Sequence, residues 1–526
     1  MNKRKWWNLA GILLWTAAVA MLVVSVFLSF SNDIWYDEMF TMGLISKPYR
    51  ELINIAARDV HPPLYYCIVK LAVDITTVAF PGADAVIIAK LVSVLPFLFL
   101  LLLSLTGIRR NFGMLSGGLF AFLILSMPNL PDYTVEIRMY GWSMLFLTWG
   151  MVCAYELLNG KAKGKEQTRK QQYIKWGEIT LCAMAACYTH YFACVAAVMI
   201  YGYLFVTILF NQKQNREQNK KGRWYPFVIS GFLCVLCYLP WAGAVFSQVS
   251  QVSESYWILP LSWRTLGGCL KFIFKPAGAN GLFGILLAVL LFGSFAVVCF
   301  RRMLKRDRLS GFILGCLMML GGLVCFGFVL SFLLRPIFVY RYMLPALGVF
   351  WLAFAVAFGD TQSELCKSNR IRLACDTVIL LLYLICGVVS YRAFYGEEMW
   401  KRVQMQQTRQ GLEVIQPGDK LVFNFNHTQG VVGYYLSNDC YLYESTPEEL
   451  LVVMYPNLLD LEDDNGAEPI NTIREWLAQG ETVWFLGSGN ARDEVTASWL
   501  KNGIITQEQG SYLVERYWFN LYAVHD

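Results

Sequence analysis

Long apolar runs separated by short basic loops make up most of this chain, and the last quarter abandons that rhythm. The runs fall at 8–30, 86–107, 114–131, 140–158, 176–191, 193–210, 226–246, 281–300, 311–334, 342–360 and 373–391. Most come close to the roughly 20 residues that an α-helix needs to cross a bilayer. The run at 176–191 is the shortest and weakest. Basic residues cluster at Lys3–Lys5, Arg109-Arg110, Lys161–Lys175, Lys213–Arg223, Arg301–Arg308 and Lys367–Arg372. Such clusters mark the cytoplasmic ends of membrane helices. Put on one side, they order the runs as eleven alternating spans with the N-terminus inside. The first run is too long for a signal peptide and no small-residue cleavage site follows it, so an uncleaved first helix is expected.

That path leaves 31–85 as one long outer segment, with further outer segments at 132–139, 247–280 and 335–341. The stretch 63–80 is apolar enough to resemble a span. A span there would put Arg109-Arg110 outside and hold Lys70 and Asp74 in mid-membrane. An interfacial amphipathic helix opened by Pro62-Pro63 fits better. The expected fold is therefore an all-α polytopic membrane protein of about eleven helices with a small extracytoplasmic α/β domain at the C-terminal end. The division is 1–391 and 392–526. In the second part, helical patterns near 396–415 and 470–479 alternate with β-rich runs at 420–425, 482–486 and 512–524.

Composition sharpens this picture. The chain is 526 residues long, 56% hydrophobic and 16% charged, where soluble domains are nearer a quarter charged. Its net charge of +6 hides two opposed parts. Residues 392–526 hold 20 acidic and 9 basic residues, against 18 acidic and 35 basic in 1–391. The basic residues lie mostly in short loops, where they set orientation, so nucleic-acid binding is not indicated. Of 15 cysteines only Cys440 lies in the tail, which excludes a disulfide-stapled domain there. Cys234-x-x-Cys237 has redox spacing but sits in an apolar span, where packing is the better reading.

The chemistry-bearing residues concentrate at the outer ends of the spans. Trp35-Tyr36-Asp37-Glu38 follows the first helix, and Asp59-Val60-His61-Pro62-Pro63 lies further along the same segment. A carboxylate at a membrane boundary can serve as general base to a hydroxyl; the plain alternative is a pair of solvated loop acids. His61 could line the same pocket or merely flank a helix start, and a carboxylate–imidazole metal set of Asp37, Glu38 and His61 is a weaker reading. Glu136-x-Arg138-x-Tyr140 opens another outer mouth, and Arg341-Tyr342 repeats the pattern. Arginine offers a fixed fork of donors to phosphate, the alternative being a snorkelling side chain paired with Glu136. Both arginines run against the positive-inside bias. His190, in Thr189-His190-Tyr191, marks a third outer rim. Gly487-Ser488-Gly489 follows an apparent strand but lacks the third glycine of a dinucleotide loop and reads as a turn. The sequon at Asn426-His427-Thr428 carries no weight.

Together, Asp37-Glu38, His61-Pro62-Pro63-Leu64-Tyr65-Tyr66, Glu136-Ile137-Arg138-Met139-Tyr140 and Arg341-Tyr342-Met343-Leu344-Pro345 resemble the bacterial relatives of the dolichyl-phosphate-mannose protein mannosyltransferases, a group that includes the lipid A aminoarabinose transferases and has the GT-C fold. The likeness in layout covers residues 1–391, and its specific part is 35–66, 132–142 and 341–345. The tail matches no pattern of the group. The resemblance implies a polyprenyl-phosphate-linked sugar donor, a catalytic acid in the first outer loop and inversion at the sugar carbon. Asp37 would be the base, Glu38 its assistant, Arg138 and Arg341 the phosphate holders, and His61, Glu136, Tyr140 and His190 the pocket lining.

The expectation is thus an enzyme of the cytoplasmic membrane that moves a hexosyl, mannosyl or pentosyl group from that donor to an extracytoplasmic acceptor: a glycolipid, polysaccharide or protein. No cofactor is implied, since a monophosphate leaving group makes a divalent metal optional. The rival classes are a lipid or polysaccharide transporter or flippase, which would bury ionisable residues in mid-membrane, a polysaccharide polymerase using a diphosphate-linked donor, and a receptor that binds through the acidic tail.

Overall fold

The computed structural model describes residues 3–159, 161–162, 165–214, 224–254, 258, 260–364, 370–461 and 469–526. Residues 215–223 and 365–369 of the basic loops, two residues within Lys161–Lys175, and the acidic run Glu462-Asp463-Asp464 lie outside the described residues. The chain forms two compact units. One comprises Met1–Phe30, Ala56–Ala72 and Ile88–Tyr395; the other comprises Ser31–Ile55, Val73–Ile87 and Gly396–Asp526.

The first unit is helical apart from a short antiparallel pair, Lys161–Ala162 with Lys165–Glu166, and a helix stands at every expected span. Among the described residues, eight helices are long and apolar enough to cross a membrane. Three of the expected spans fall outside that set for a physical reason. Met114–Ser126 has only 13 residues, Tyr140–Asn159 is buried on nearly every side, and Arg169–Cys187 opens with a polar first turn. A helix enclosed by other helices meets protein rather than lipid, so its side chains need not be lipid-like. Burial separates centre from rim. The Tyr340–Asp360 span has 94% of its apolar window buried, whereas Trp224–Ser250 has 11%. Phe295 and Phe350 stack at 4.3 Å on the central helix, and Trp351 and Phe354 pack beside them. The first helix, Lys3–Ser29, meets Met114–Ser126 backbone to backbone, because a Cβ on Gly118 would collide with the Gly11 carbonyl. Ala85–Leu103 continues through a wide π-type turn, Ser104–Ile108, into Arg109–Phe112. The stretch 63–80 is the 16-residue helix Leu64–Ala79, too short to rank among the spans. Cys234 bonds the Tyr201 hydroxyl between two packed helices, in keeping with a packing role.

The second unit is built on a six-stranded sheet. Its strands are β1 (Lys420–Phe423), β2 (Cys440–Leu442), β3 (Leu458–Asp460), β4 (Val483–Ser488), β5 (Ile505–Val514) and β6 (Tyr517–His525). The order is β3-β2-β1-β4-β6-β5, with β3, β2, β1 and β4 parallel and the β5–β6 hairpin antiparallel at one edge. β4 is buried along its whole length, as befits a strand inside a parallel sheet. Phe485 and Trp499 anchor the core, at 4.9 Å between ring centres. The 512–524 run is two arms of a hairpin rather than one strand, turned at Glu515 in the left-handed region (φ 58°). The 396–415 pattern is the end of a single 43-residue helix, Arg370–Leu412. Gly487 and Ser488 pair in β4, and Gly489 turns at φ 66° into the helix Ala491–Lys501. Strands β2 and β3 escaped the sequence pattern because three residues are too few to show alternation.

The same unit holds the first part of the long outer segment. Helix Tyr36–Ser46 packs on helix Asn426–Tyr435 and on Glu449–Met454. Glycine makes both approaches close: a Cβ on Gly430 would press on Met39 and Tyr36, and one on Gly43 on Tyr455 and Met454. The Tyr435 hydroxyl accepts the Ile34 N–H at 2.9 Å, and the Tyr455 hydroxyl donates to the Met39 carbonyl at 2.7 Å. Arg409 pairs with Asp33 at 2.6 Å and lies 4.9 Å over the Tyr435 ring.

Candidate active site

Two groups of candidate residues emerge, one in each unit. In the first unit, chain geometry gathers side chains from four stretches. Asp132–Thr134 is a single tight turn, and the backbone from Glu136 to Arg138 closes a further bond of 2.8 Å before helix Tyr140–Asn159 begins. This bend buries Arg138 (4% exposed) and Tyr140 (0%). The Leu64 N–H donates to the Tyr188 carbonyl at 3.0 Å, which draws the His61-Pro62-Pro63 corner to the bend between Arg169–Cys187 and Tyr191–Gln214. His190 sits in that bend. Gln248, on helix Trp224–Glu254, donates to the Ala56 and Ala57 carbonyls at 3.0 and 3.1 Å and secures the chain just ahead of His61.

His190 is the hub. Its ring lies 5.8 Å from His61, 5.4 Å from Tyr140 and 5.2 Å from Tyr342, and Tyr140 lies 5.0 Å from Tyr133. The Arg138 guanidinium stands 6.0 Å over the Tyr140 ring. The His190 Nδ1 accepts the Phe192 N–H at 3.1 Å, which leaves Nε2 to carry the proton of a neutral ring. Burial, and then the charges of His61, Arg138 and Arg341, push the His190 imidazole well below its ordinary range. The pocket therefore holds an uncharged imidazole among cations. Burial first, then Glu136, Tyr140 and Asp132, raise the Tyr133 phenol, and Arg341 opposes them. Arg341 and Glu136 thus face the same cluster. His61 has its own partner in Asp59, at 3.1 Å from Nδ1. Sequence reading named His61, Glu136, Arg138, Tyr140, His190 and Arg341 separately, and the structure brings all six together. It adds Tyr133, Tyr342 and Gln248. Of these, Tyr342 carried a signal by adjoining Arg341; Gln248 carried none.

A cavity of about 340 Å³ opens beside this cluster. Val195, Val245, Val249, Phe326, Leu330 and Leu334 wall it, while His61, His190, Tyr342 and Arg335 supply polar groups. That volume and mixture suit a largely apolar ligand with one anionic end. Arg335 escaped the sequence reading; its one signal is its place at the end of an apolar run, directly before Pro336.

Asp37 and Glu38 belong to the second unit, and their environments differ. Glu38 is 3% exposed, and its Oε2 accepts the Trp35 N–H at 3.1 Å. The Glu38 N–H donates to the Trp35 carbonyl at 2.9 Å, so Glu38 closes the first turn of its own helix. The Tyr36 N–H is taken by Glu515 at 2.5 Å, from the tip of the β5–β6 hairpin. Tyr36 stacks on His427 at 4.0 Å, and His427 faces Glu515 at 3.4 Å. Burial, then the carboxylates of Glu448, Asp37 and Glu515, hold the Tyr36 phenol far above its usual range. Asp37 is half-buried in this first turn, where helix N–H groups favour an anion. Among the described residues, no group of three or more His, Cys, Asp or Glu side chains is placed to hold a metal ion.

No protein-family model matches the chain, and no curated protein matches its sequence. Solved structures do match. ArnT from Cupriavidus metallidurans in the apo state superposes with a TM-score of 0.56 at 12% identity, over 97% of each chain. The same protein bound to undecaprenyl phosphate gives 0.54 at 13%, over 98% of this chain and 97% of that one. The oligosaccharyltransferase AglB from Archaeoglobus fulgidus, in complex with an inhibitory peptide and a dolichol-phosphate, gives 0.47 at 11%, over 90% of this chain and 69% of that one. At these identities the likeness is one of fold. The chain is a multi-pass membrane protein. Its architecture is the GT-C type, a polytopic helical part with a small α/β domain.

Proposed function

We propose that this protein is a membrane glycosyltransferase that takes a sugar from a polyprenyl-phosphate carrier and passes it, with inversion, to an acceptor on the extracytoplasmic side of the cell membrane. The N-terminus is cytoplasmic and residues 392–526 form an extracytoplasmic domain. The observation that carries the reading is the cavity beside His190, where an apolar wall meets Arg335 and the buried His61–His190–Tyr342 cluster. A prenyl phosphate has the matching chemistry, and the ArnT structure of the same fold was solved with undecaprenyl phosphate. Arg138 and Arg341 hold the phosphate. Their charge stabilises the leaving group as the glycosidic bond breaks, the moment at which fixed donors lower a barrier most. His61, Glu136, Tyr140 and neutral His190 line the pocket without neutralising that anion.

Asp37 acts as base on the acceptor hydroxyl, which attacks the sugar carbon while the carrier phosphate departs. Glu38 and Glu515 each hold a backbone N–H of the same turn and serve to orient it. The sugar is a hexose or a pentose, and the acceptor a glycolipid, polysaccharide or protein. The test has two arms. Undecaprenyl phosphate titrated into the purified protein should quench tryptophan fluorescence saturably, and Arg138→Gln should weaken that binding. Cells carrying Asp37→Asn should lose the glycan that the wild type adds, read by mass spectrometry of surface glycans, while the variant protein still binds undecaprenyl phosphate. Absence of saturable binding by the wild type removes the donor assignment, and a normal glycan with Asp37→Asn removes the base.

A further inference from the structure

A second cavity, of about 760 Å³, lies in the first unit at the end of the helices that carries the Arg301–Arg308 loop. It opens between helices Tyr140–Asn159, Tyr191–Gln214 and Arg308–Leu333. Leu158, Met199, Val206, Phe210, Leu314 and Met318 wall it, and Arg306 and Arg308 stand at its rim. None of these residues belongs to the site described above.

The rim carries surplus positive charge. Asp307 lies between the two arginines, but its carboxylate is already matched. Arg302 donates to it twice, at 3.0 and 2.8 Å, and the Ser310 N–H adds a bond of 2.9 Å. Although burial opposes it, these bonds hold the Asp307 carboxyl well below the usual carboxylate range. Lys305 in turn is matched by Asp360 at 3.0 Å. Among the described residues, no carboxylate pairs with Arg306 or Arg308 within 4.0 Å. Arg306 also sits in the left-handed region (φ 52°), an uncommon place for a residue with a side chain.

The groove is left open by glycine. Gly202 and Gly311 line it, and nothing stands within 4 Å of the Cβ that either would gain. Apolar walls beneath two guanidinium groups fit one chemistry: acyl chains below a phosphate headgroup. A free phosphate would make no use of the walls, and a zwitterionic lipid would answer the two cations poorly.

We propose that this groove binds one anionic phospholipid, with its acyl chains along Met199, Val206, Leu314 and Met318 and its phosphate between Arg306 and Arg308. The site is separate from the transfer chemistry and does not depend on it.

Native mass spectrometry of the purified full chain tests this, with titrations of phosphatidylglycerol and of phosphatidylcholine carrying the same acyl chains. One phosphatidylglycerol per chain should be retained about tenfold better than phosphatidylcholine. The double variant Arg306→Gln/Arg308→Gln should lose that preference. Gly202→Leu/Gly311→Leu should lose it too, with both cations intact, because leucine fills the groove; leucine is also the better helix former, so the helices persist. Equal retention of the two lipids by the wild type, or a preference that survives in either double variant, overturns the assignment.

Discussion

Arg138 and Glu38 are both buried charges, yet the two units treat them in opposite ways. Arg138 lies among aromatic rings and neutral imidazole, in surroundings that hold other cations, Arg341 among them. Glu38 is engaged locally: its carboxylate accepts the Trp35 N–H and closes a four-residue turn. The first environment gathers two arginines, a neutral imidazole and the acids Glu136 and Asp132 around buried aromatic rings, where charges act on one another more strongly than in water. The second sets the two acids of one helix turn, Asp37 and Glu38, beside Glu515 of a neighbouring hairpin, and Glu38 and Glu515 each take a backbone N–H there. Neighbouring charge in the sequence is therefore a poor guide to shared function; the donor each side chain meets decides it.

The largest effect tests that sorting. Asp37→Asn should lower transfer by about a thousandfold, within the range of general-base loss, with the thermal transition in detergent unchanged. Glu38→Gln should cost less than tenfold in the same assay, and equal losses for the two would erase the distinction drawn between them. Next, Arg138→Lys keeps the charge but loses the fork, and should reduce transfer about a hundredfold. A variant that retains full activity would make Arg138 a structural cation.

The third test uses pH. His190 is buried neutral and held below its ordinary value, whereas the unfolded chain takes up a proton as pH falls through about 6.5. Its contribution to stability is therefore complete above that pH and declines below it, by at most about 1.4 kcal/mol per pH unit. Between pH 7.5 and 5.5 the wild-type transition should fall more than that of His190→Gln; parallel curves would show that the imidazole is not the titrating group. The smallest effect concerns the acid helix. Glu38→Ala should destabilise the second unit by about 1 kcal/mol through loss of the cap, measured as a shift in the denaturant midpoint, and Glu515→Gln should cost less because an amide oxygen still accepts the Tyr36 N–H.

Much of this was legible in the residues. The helices were readable because a membrane leaves a chain few alternatives to long apolar segments. Arg138 and Arg341 stood out as arginines placed against the positive-inside bias. The short strands β2 and β3 and the hairpin turn at Glu515 were less readable, because packing rather than local pattern sets their limits.

Apolar length, loop charge and the alternation of strand and helix patterns by themselves determined the polytopic helical architecture and the small α/β tail. Only the tertiary structure decided that His61, His190 and Tyr342 share one cavity and that Arg138 stands beside them over the Tyr140 ring, from four distant stretches. It also decided that Glu38 caps a helix and that this helix docks against the C-terminal sheet unit. The reason is physical. A buried polar group must find its partner through space, and that partner has no fixed distance along the chain.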